Sequence, residues 1–94
     1  MQNRYFRVSV TDNRLGAARL GMTVPKRIVK RAVARNRIKR IIRESFRAHR
    51  ASLPPMDVVV GIRRAVGEGP DRKQLRESLD ELWRRLEQRS CAPS

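Results

Sequence analysis

Between Lys26 and Arg50 the sequence places eleven Lys or Arg residues against one acid, Glu44, and the centre of the run reads Arg35-Asn36-Arg37-Ile38-Lys39-Arg40. Like charge at that density repels itself, so a phosphate-rich polyanion is its natural complement. Arg outnumbers Lys, and a guanidinium forks onto phosphate oxygens and stacks on bases better than an ammonium does. Asn36, set among the cations, can hydrogen-bond a base edge, a ribose hydroxyl or a neighbouring backbone group. Chemistry made by side chains alone is hard to assemble. His49, near Arg47 and Arg50, reads as a solvated surface residue. Asp12 and Asp57 are isolated carboxylates, weak as metal ligands. One Cys and one His cannot complete a zinc site. No Ser/His/Asp or Cys/His set has partners, and Gly61, Gly67 and Gly69 do not form a phosphate loop. The chain is expected to bind, not to catalyse by itself.

The rest of the chain must display that segment. Tyr5 to Val10 alternates, with Phe6, Val8 and Val10 on one face and Tyr5, Arg7 and Ser9 on the other, as a half-buried strand does. Asp12-Asn13 and Gly16 mark a loop. Arg19 to Val24 resumes the alternation with Leu20, Met22 and Val24 inward, and the two runs read as an antiparallel hairpin. Pro25 ends the second. The spacing of Ala34, Ile38, Ile41, Ile42, Ser45 and Phe46 predicts a helix from about Ala32 to His49. Asn36, Lys39, Arg40, Arg43 and Arg47 share its opposite side, a row of polar and cationic groups at one-turn intervals. Val29 and Val33 fall outside the apolar stripe.

Pro54-Pro55 stops that helix, and the β-branched run Met56–Ile62 reads as a more central strand with Arg63-Arg64 at its far end. Gly67, Gly69 and Pro70 suggest a loop, and Asp71-x-x-Gln74 a capping box opening a second helix. Leu75, Leu79, Leu82, Trp83 and Leu86 line its apolar face, with Asp80–Arg84 and Glu81–Arg85 as i,i+4 pairs. The order is strand, strand, helix, strand, helix: a small α+β domain in which the first helix is a crossover and both helices cover a mixed sheet.

Ninety-four residues make one domain with a modest core. The net charge of +14 lies entirely within residues 1–65; residues 66–94 carry six charges of each sign. The last third therefore looks structural. No long apolar run and no signal-peptide pattern is present, so a membrane role and export are not expected. The lone Cys91 precludes an internal disulfide, which suits a reducing cytoplasm. Phe46 and Trp83 read as core. Tyr5, opposite Phe6 on its strand, is the aromatic expected to be exposed on an open sheet face, where a ring can stack on an unpaired base.

Lys26-Arg27, Lys30-Arg31-Ala32, Arg35 to Arg40 and Ile42-Arg43-Glu44-Ser45-Phe46-Arg47 together resemble the signature of the bacterial ribonuclease P protein subunit. Arg19 to Val24, Leu53 to Val60 and Leu82-Trp83-Arg84-Arg85 are similar to the flanking and later segments of that family. The resemblance implies a cytoplasmic ribonucleoprotein that removes the 5′ leader from precursor tRNA. Its RNA subunit performs the hydrolysis with Mg²⁺, and the protein holds no cofactor tightly. The implied partners are the catalytic RNA and precursor tRNA, with no membrane and no obligate protein partner. Carried onto this chain, Arg35, Asn36, Arg37, Lys39, Arg40 and Arg43 would contact the RNA subunit, with Lys26, Arg27, Lys30 and Arg31 extending the surface. Tyr5, Arg7 and Thr23 would face the leader in a cleft on the sheet.

The family also implies a left-handed crossover around the basic helix, against the usual right-handed rule. It implies an N-terminal helix walling the leader cleft as well. This chain begins almost at the first strand, so Met1 is either an internal start or marks a version lacking that wall. Residues 1–89 would be the RNA-binding domain and 90–94 a polar tail. Two rivals stand beside this reading: a DNA-binding module laying the Ile38–Arg47 helix into a major groove, and a ribosomal or assembly protein that scaffolds RNA.

Overall fold

The structure, a computed structural model, describes residues 1–91, with side chains through Gln88. The expectations for Cys91 and the polar tail lie outside the described side chains. The elements are β1 (Phe6–Asp12), β2 (Arg19–Thr23), α1 (Ala32–His49), β3 (Met56–Ile62) and α2 (Arg72–Cys91). Short 3-10 turns at Arg50–Ser52 and Arg64–Glu68 flank β3.

The sheet runs β1-β3-β2. β1 pairs antiparallel with β3 from Phe6 opposite Ile62 to Asp12 opposite Met56, and β2 pairs parallel with it from Arg19 opposite Asp57 to Thr23 opposite Gly61. The expected β1–β2 hairpin is therefore corrected: the two strands occupy opposite edges. Alternation tells which face of a strand is buried, not which neighbour it takes. β3, buried at Met56, Val58, Val60 and Ile62, takes the centre. Parallel pairing of β2 with β3 needs a long crossover, and α1 supplies it.

One carboxylate ties this order together. Asp57, at the start of β3, accepts both Nε and Nη2 of Arg19 on β2, at 2.8 and 2.9 Å. It also accepts Nδ2 of Asn13 at 2.9 Å, just after β1. Asn13 Oδ1 accepts the Leu15 N–H at 3.0 Å, shaping the loop that passes the end of β3 from one edge to the other. The Arg19 and Asn13 hydrogen bonds hold the Asp57 carboxyl down at about 2, against an ordinary 3.8, and the same bond raises Arg19.

Both helices lie on one face of the sheet, α1 over β2 and α2 over β1, and they pack on each other. The core joins Phe6 and Val8, Val58 and Val60, the α1 residues Ile38, Ile41, Ile42 and Phe46, and the α2 residues Leu75, Leu79, Leu82, Trp83 and Leu86. Both predicted apolar stripes are thus the buried ones. Burying each such large side chain stabilises by roughly 1.5–3 kcal/mol. Val29 is buried beside the helix start while Val33 stays 80% exposed.

Asp71 and Gln74 form the expected reciprocal capping box: Gln74 N donates to Asp71 Oδ1 at 2.8 Å and Asp71 N to Gln74 Oε1 at 2.9 Å. Gly67 belongs to the second 3-10 turn rather than to an open loop, and Gly69 ends that turn at φ 83°.

A polar chain clasps α1 to α2. Trp83 Nε1 donates to Ser45 Oγ at 2.7 Å, and Ser45 Oγ donates to Asp80 Oδ1 at 2.9 Å. His49 stands with Nε2 3.4 Å from the same Asp80 oxygen and Nδ1 2.9 Å from Glu87 Oε1. His49 is therefore a bridge between helices, not the solvated residue its Arg neighbours suggest. Asp80 is turned to this clasp instead of to Arg84; Glu81–Arg85 forms as expected. Beside the clasp, the Phe46 and Trp83 rings meet edge to face at 5.6 Å.

Two measurements probe these ties. In the unfolded chain Asp57 takes up a proton first, so its contribution is complete above its ordinary value and is lost as pH falls from about 4 toward about 2. The urea midpoint of the wild type should fall more steeply across that window than that of Asp57→Asn; parallel slopes would dissolve the tie. Ser45→Ala strands the buried Trp83 N–H and should cost about 1–3 kcal/mol in urea unfolding. A loss under about 0.5 kcal/mol would place it with ordinary surface substitutions.

Candidate nucleic-acid interface

A helix usually starts with a side-chain cap and acids in its first turn. α1 has neither: its N-cap is Arg31, with no side-chain hydrogen bond, and no acid lies in the first turn. The start is held by other means. Ile28 and Val29 N–H groups donate to Pro25 O, both at 3.1 Å, closing a turn ahead of the helix. From inside the helix, Arg35 Nη1 reaches back and donates to Val29 O at 3.0 Å and Lys30 O at 2.8 Å. Arg35 is half-buried and spends this nitrogen on the fold.

Beyond that clamp the cations face outward. Asn36, Arg40, Arg43 and Arg47 are exposed along one side of α1, and Lys39 is half-buried beside them. Lys26, Arg27, Lys30, Arg31 and Arg37 are exposed at the N-terminal end. Among the described residues, no Lys or Arg between Lys26 and Arg50 forms an ion pair within the chain. Glu44, the one acid of the segment, is taken by Arg72 of α2 at 3.0 Å. The field of α1 is left uncompensated.

The structure divides these polar and cationic groups among three places. Asn36, Lys39, Arg40, Arg43 and Arg47 form the helix row. Lys30, Arg31 and Arg37 border an apolar groove at the start of α1. Arg27 instead joins a larger groove at one end of the sheet, about 1150 Å³ in volume, with Arg7, Thr23, Arg63 and Arg64.

That second groove opens from the face of the sheet without helices. Register sets three outward rows across the strands: Arg7–Gly61–Thr23, Ser9–Val59–Gly21 and Thr11–Asp57–Arg19. Arg7 and Thr23, on different edge strands, are thus brought together as expected. Glycines at 21 and 61 keep the floor flat, and Val59 is an exposed apolar residue between them, 46% accessible. Glu68, the one acid lining the groove among the described residues, lies 3.9 Å from Arg4.

Tyr5 is not part of it. The expectation of an exposed ring is corrected: Tyr5 is 8% exposed and precedes β1. Asn3 Oδ1 accepts the N–H groups of Tyr5 and Phe6 at 3.1 and 3.0 Å, while Asn3 Nδ2 donates to Ser78 O at 2.8 Å. This bend breaks the alternation before the strand starts and tucks Tyr5 toward α2, under the Arg4 guanidinium at 5.4 Å. In the sequence, Arg63 and Arg64 mark only the end of a strand. Their place in the groove follows from the parallel pairing, which brings the ends of β2 and β3 together; the hairpin expectation hid it.

Asp57 is occupied by Arg19 and Asn13, and no three His, Cys, Asp or Glu among the described residues come together as metal ligands. No helix among them is long and apolar enough to cross a membrane.

The family model for Ribonuclease P matches residues 1–87. This chain belongs to the ribonuclease P protein family. It is 52% identical over 89 residues to the ribonuclease P protein component of Halorhodospira halophila, a match covering 95% of this chain and 72% of that one. With the component of Pectobacterium atrosepticum it shares 56% identity over 73 residues, covering 78% of this chain and 60% of that protein. The solved ribonuclease P protein of Staphylococcus aureus superposes with a TM-score of 0.82 at 33% identity, over 89% of this chain and 76% of that one. The α+β architecture is therefore the family's own. A helix-turn-helix arrangement is excluded by the order of elements, because a strand and a turn precede α1.

Within this ribonuclease P fold, Arg35 and Arg37 should behave oppositely in unfolding experiments. Arg35→Ala removes the back-bonds to Val29 and Lys30 and should lower stability by about 1 kcal/mol or more. Arg37→Ala, exposed and unpaired, should stay within about 0.5 kcal/mol of wild type. Equal effects would contradict the assignment of Arg35 to the fold.

Proposed function

We propose that this chain is the protein subunit of a ribonucleoprotein endonuclease that removes the 5′ leader of precursor tRNA in the cytoplasm. The observation that carries this reading is the uncompensated cationic face of α1 on a chain of the ribonuclease P family. Asn36, Arg37, Lys39, Arg40 and Arg43 bind the catalytic RNA, and Lys26, Lys30 and Arg31 extend that contact. Arg35 contributes chiefly by holding the turn in place. The open sheet face receives the leader: Arg7 and Thr23 flank it, with Arg27, Arg63 and Arg64 supplying charge. Tyr5, buried toward α2, makes no stacking platform there.

Hydrolysis belongs to the RNA, which would hold the Mg²⁺ it uses; among the described residues of this chain, no three His, Cys, Asp or Glu come together as metal ligands. What the protein supplies is neutralisation. RNA helices and substrate brought together repel through their phosphates, and fixed cations reduce the free Mg²⁺ needed to screen them.

Two outcomes are expected. The catalytic RNA should cleave precursor tRNA accurately at low Mg²⁺ only when the chain is present. Binding without rescue would remove leader capture from the reading, and absence of binding would remove the reading itself. With about seven phosphates neutralised, RNA affinity should fall roughly 10³–10⁴-fold between 50 and 200 mM salt; a flat response would refute the electrostatic contact.

A further inference from the structure

The apolar groove at the start of α1 lies between the helix row and the sheet-side groove, with Lys30, Arg31 and Arg37 of the cationic surface on its rim. Its volume is about 480 Å³, within the range of small-ligand clefts. The buried residues Val29, Ile38, Ile41, Val66 and Leu75 form its floor. Ala34 and Ile28 stand half-buried in its walls. At the rim are Lys30, Arg31 and Arg37, exposed and without an acidic partner, and Arg72, which Glu44 holds. Among the described residues, no acid lines the groove.

The walls are fixed. Arg35 pins the 29–30 backbone on one side. On the other, Gly67 lies so close to Ile28 that an added Cβ would stand 2.9 Å from Ile28 O. A dry floor under a cationic rim suits a ligand with a flat apolar body and an attached anion. An apolar peptide segment would fill the floor and leave three cations desolvated or idle. A paired helix offers only phosphates and would leave the floor empty.

We infer that this groove takes an unpaired nucleotide of the catalytic RNA, its base against Ile28, Ile38 and Val66 and its phosphate on Lys30, Arg31 and Arg37. This rests on the RNA-binding reading of α1 and adds to it a shape-selective anchor at the end of the cationic row. Ile28 and Gly67 also line the sheet-side groove, so the anchored nucleotide sits back to back with the leader path.

Filling the groove without removing a charge tests this. With the full chain and the catalytic RNA, Ala34→Phe should weaken binding roughly ten- to a hundredfold, the scale of one base–protein stacking contact. The salt slope should fall by no more than about one phosphate contact, because the displaced nucleotide takes only its own phosphate with it and every cation remains. Unchanged affinity would overturn the inference. A wild type that binds without a salt slope would overturn the RNA-binding reading, and the groove with it.

A second measurement needs no variant. Adenosine 5′-monophosphate titrated into the wild-type chain should move the methyl resonances of Ile28, Val29, Ile41 and Val66, and move them at lower concentration than adenosine does. Equal response to adenosine would make the groove apolar only, a seat for a protein segment. Still methyls with shifting amides at Asn36 and Arg40 would leave only phosphate contacts. Either result would overturn the nucleotide site.

Discussion

Repulsion along α1 is the constraint to which the rest of this fold answers. The helix starts on Arg31, has no acid in its first turn, and carries its cations toward the end of the dipole that disfavours them. In proteins most helical stability comes from packing of an apolar face rather than from propensity. What keeps α1 helical is its other side, where Ile38, Ile41, Ile42 and Phe46 are buried against the sheet and α2. Arg35 does not cap the first-turn N–H groups; it donates to the Val29 and Lys30 carbonyls and so fixes the turn that leads into the helix. A guanidinium drawn into the fold adds to the charge problem and yet fixes the geometry of the turn before it.

The two ends of the sequence divide the work accordingly. Residues 66–94 carry no net charge, and α2 within them opens with a reciprocal capping box and offers Leu79, Leu82, Trp83 and Leu86 as a surface for α1. The clasp of Trp83, Ser45, Asp80, His49 and Glu87 then gives that contact a direction. Apolar stripes alone can slide along each other; a buried indole N–H with one acceptor cannot, because leaving it unpaired costs the full desolvation of the group. Two acids that would otherwise stand near the cationic helix are used to bind His49 at its far end. The acidic charge is kept away from the face that must remain positive.

Sheet order converts this helix into a functional arrangement. With β3 in the centre and β2 parallel to it, the ends of β2 and β3 arrive at the same end of the domain as the start of α1. Arg27, Arg63 and Arg64 therefore meet Arg7 and Thr23, although they are far apart in sequence. The Ile28–Gly67 contact becomes a thin wall between the two grooves. Asp57 supports this plan at the opposite end, where Asn13 and Arg19 bind one carboxylate from either side of β3.

Much of this was legible from residue types and spacing: both helices, their buried stripes, the row of cations on α1, the central character of Met56–Ile62 and the Asp71–Gln74 box. These depend on periodicity and on groups a few residues apart, where sequence distance and spatial distance agree. The neighbours of β1 and β2, the burial of Tyr5, the use of Arg35 on backbone carbonyls and the place of His49 between two carboxylates were decided by tertiary structure. Alternation is the same for a strand in a hairpin and one at a distant edge, and a cation looks the same whether it faces solvent or a carbonyl. The sequence by itself determined that a cationic helix would be displayed. Only packing decided which cations remained available and which groove each one borders, because those outcomes depend on contacts between residues dozens of positions apart.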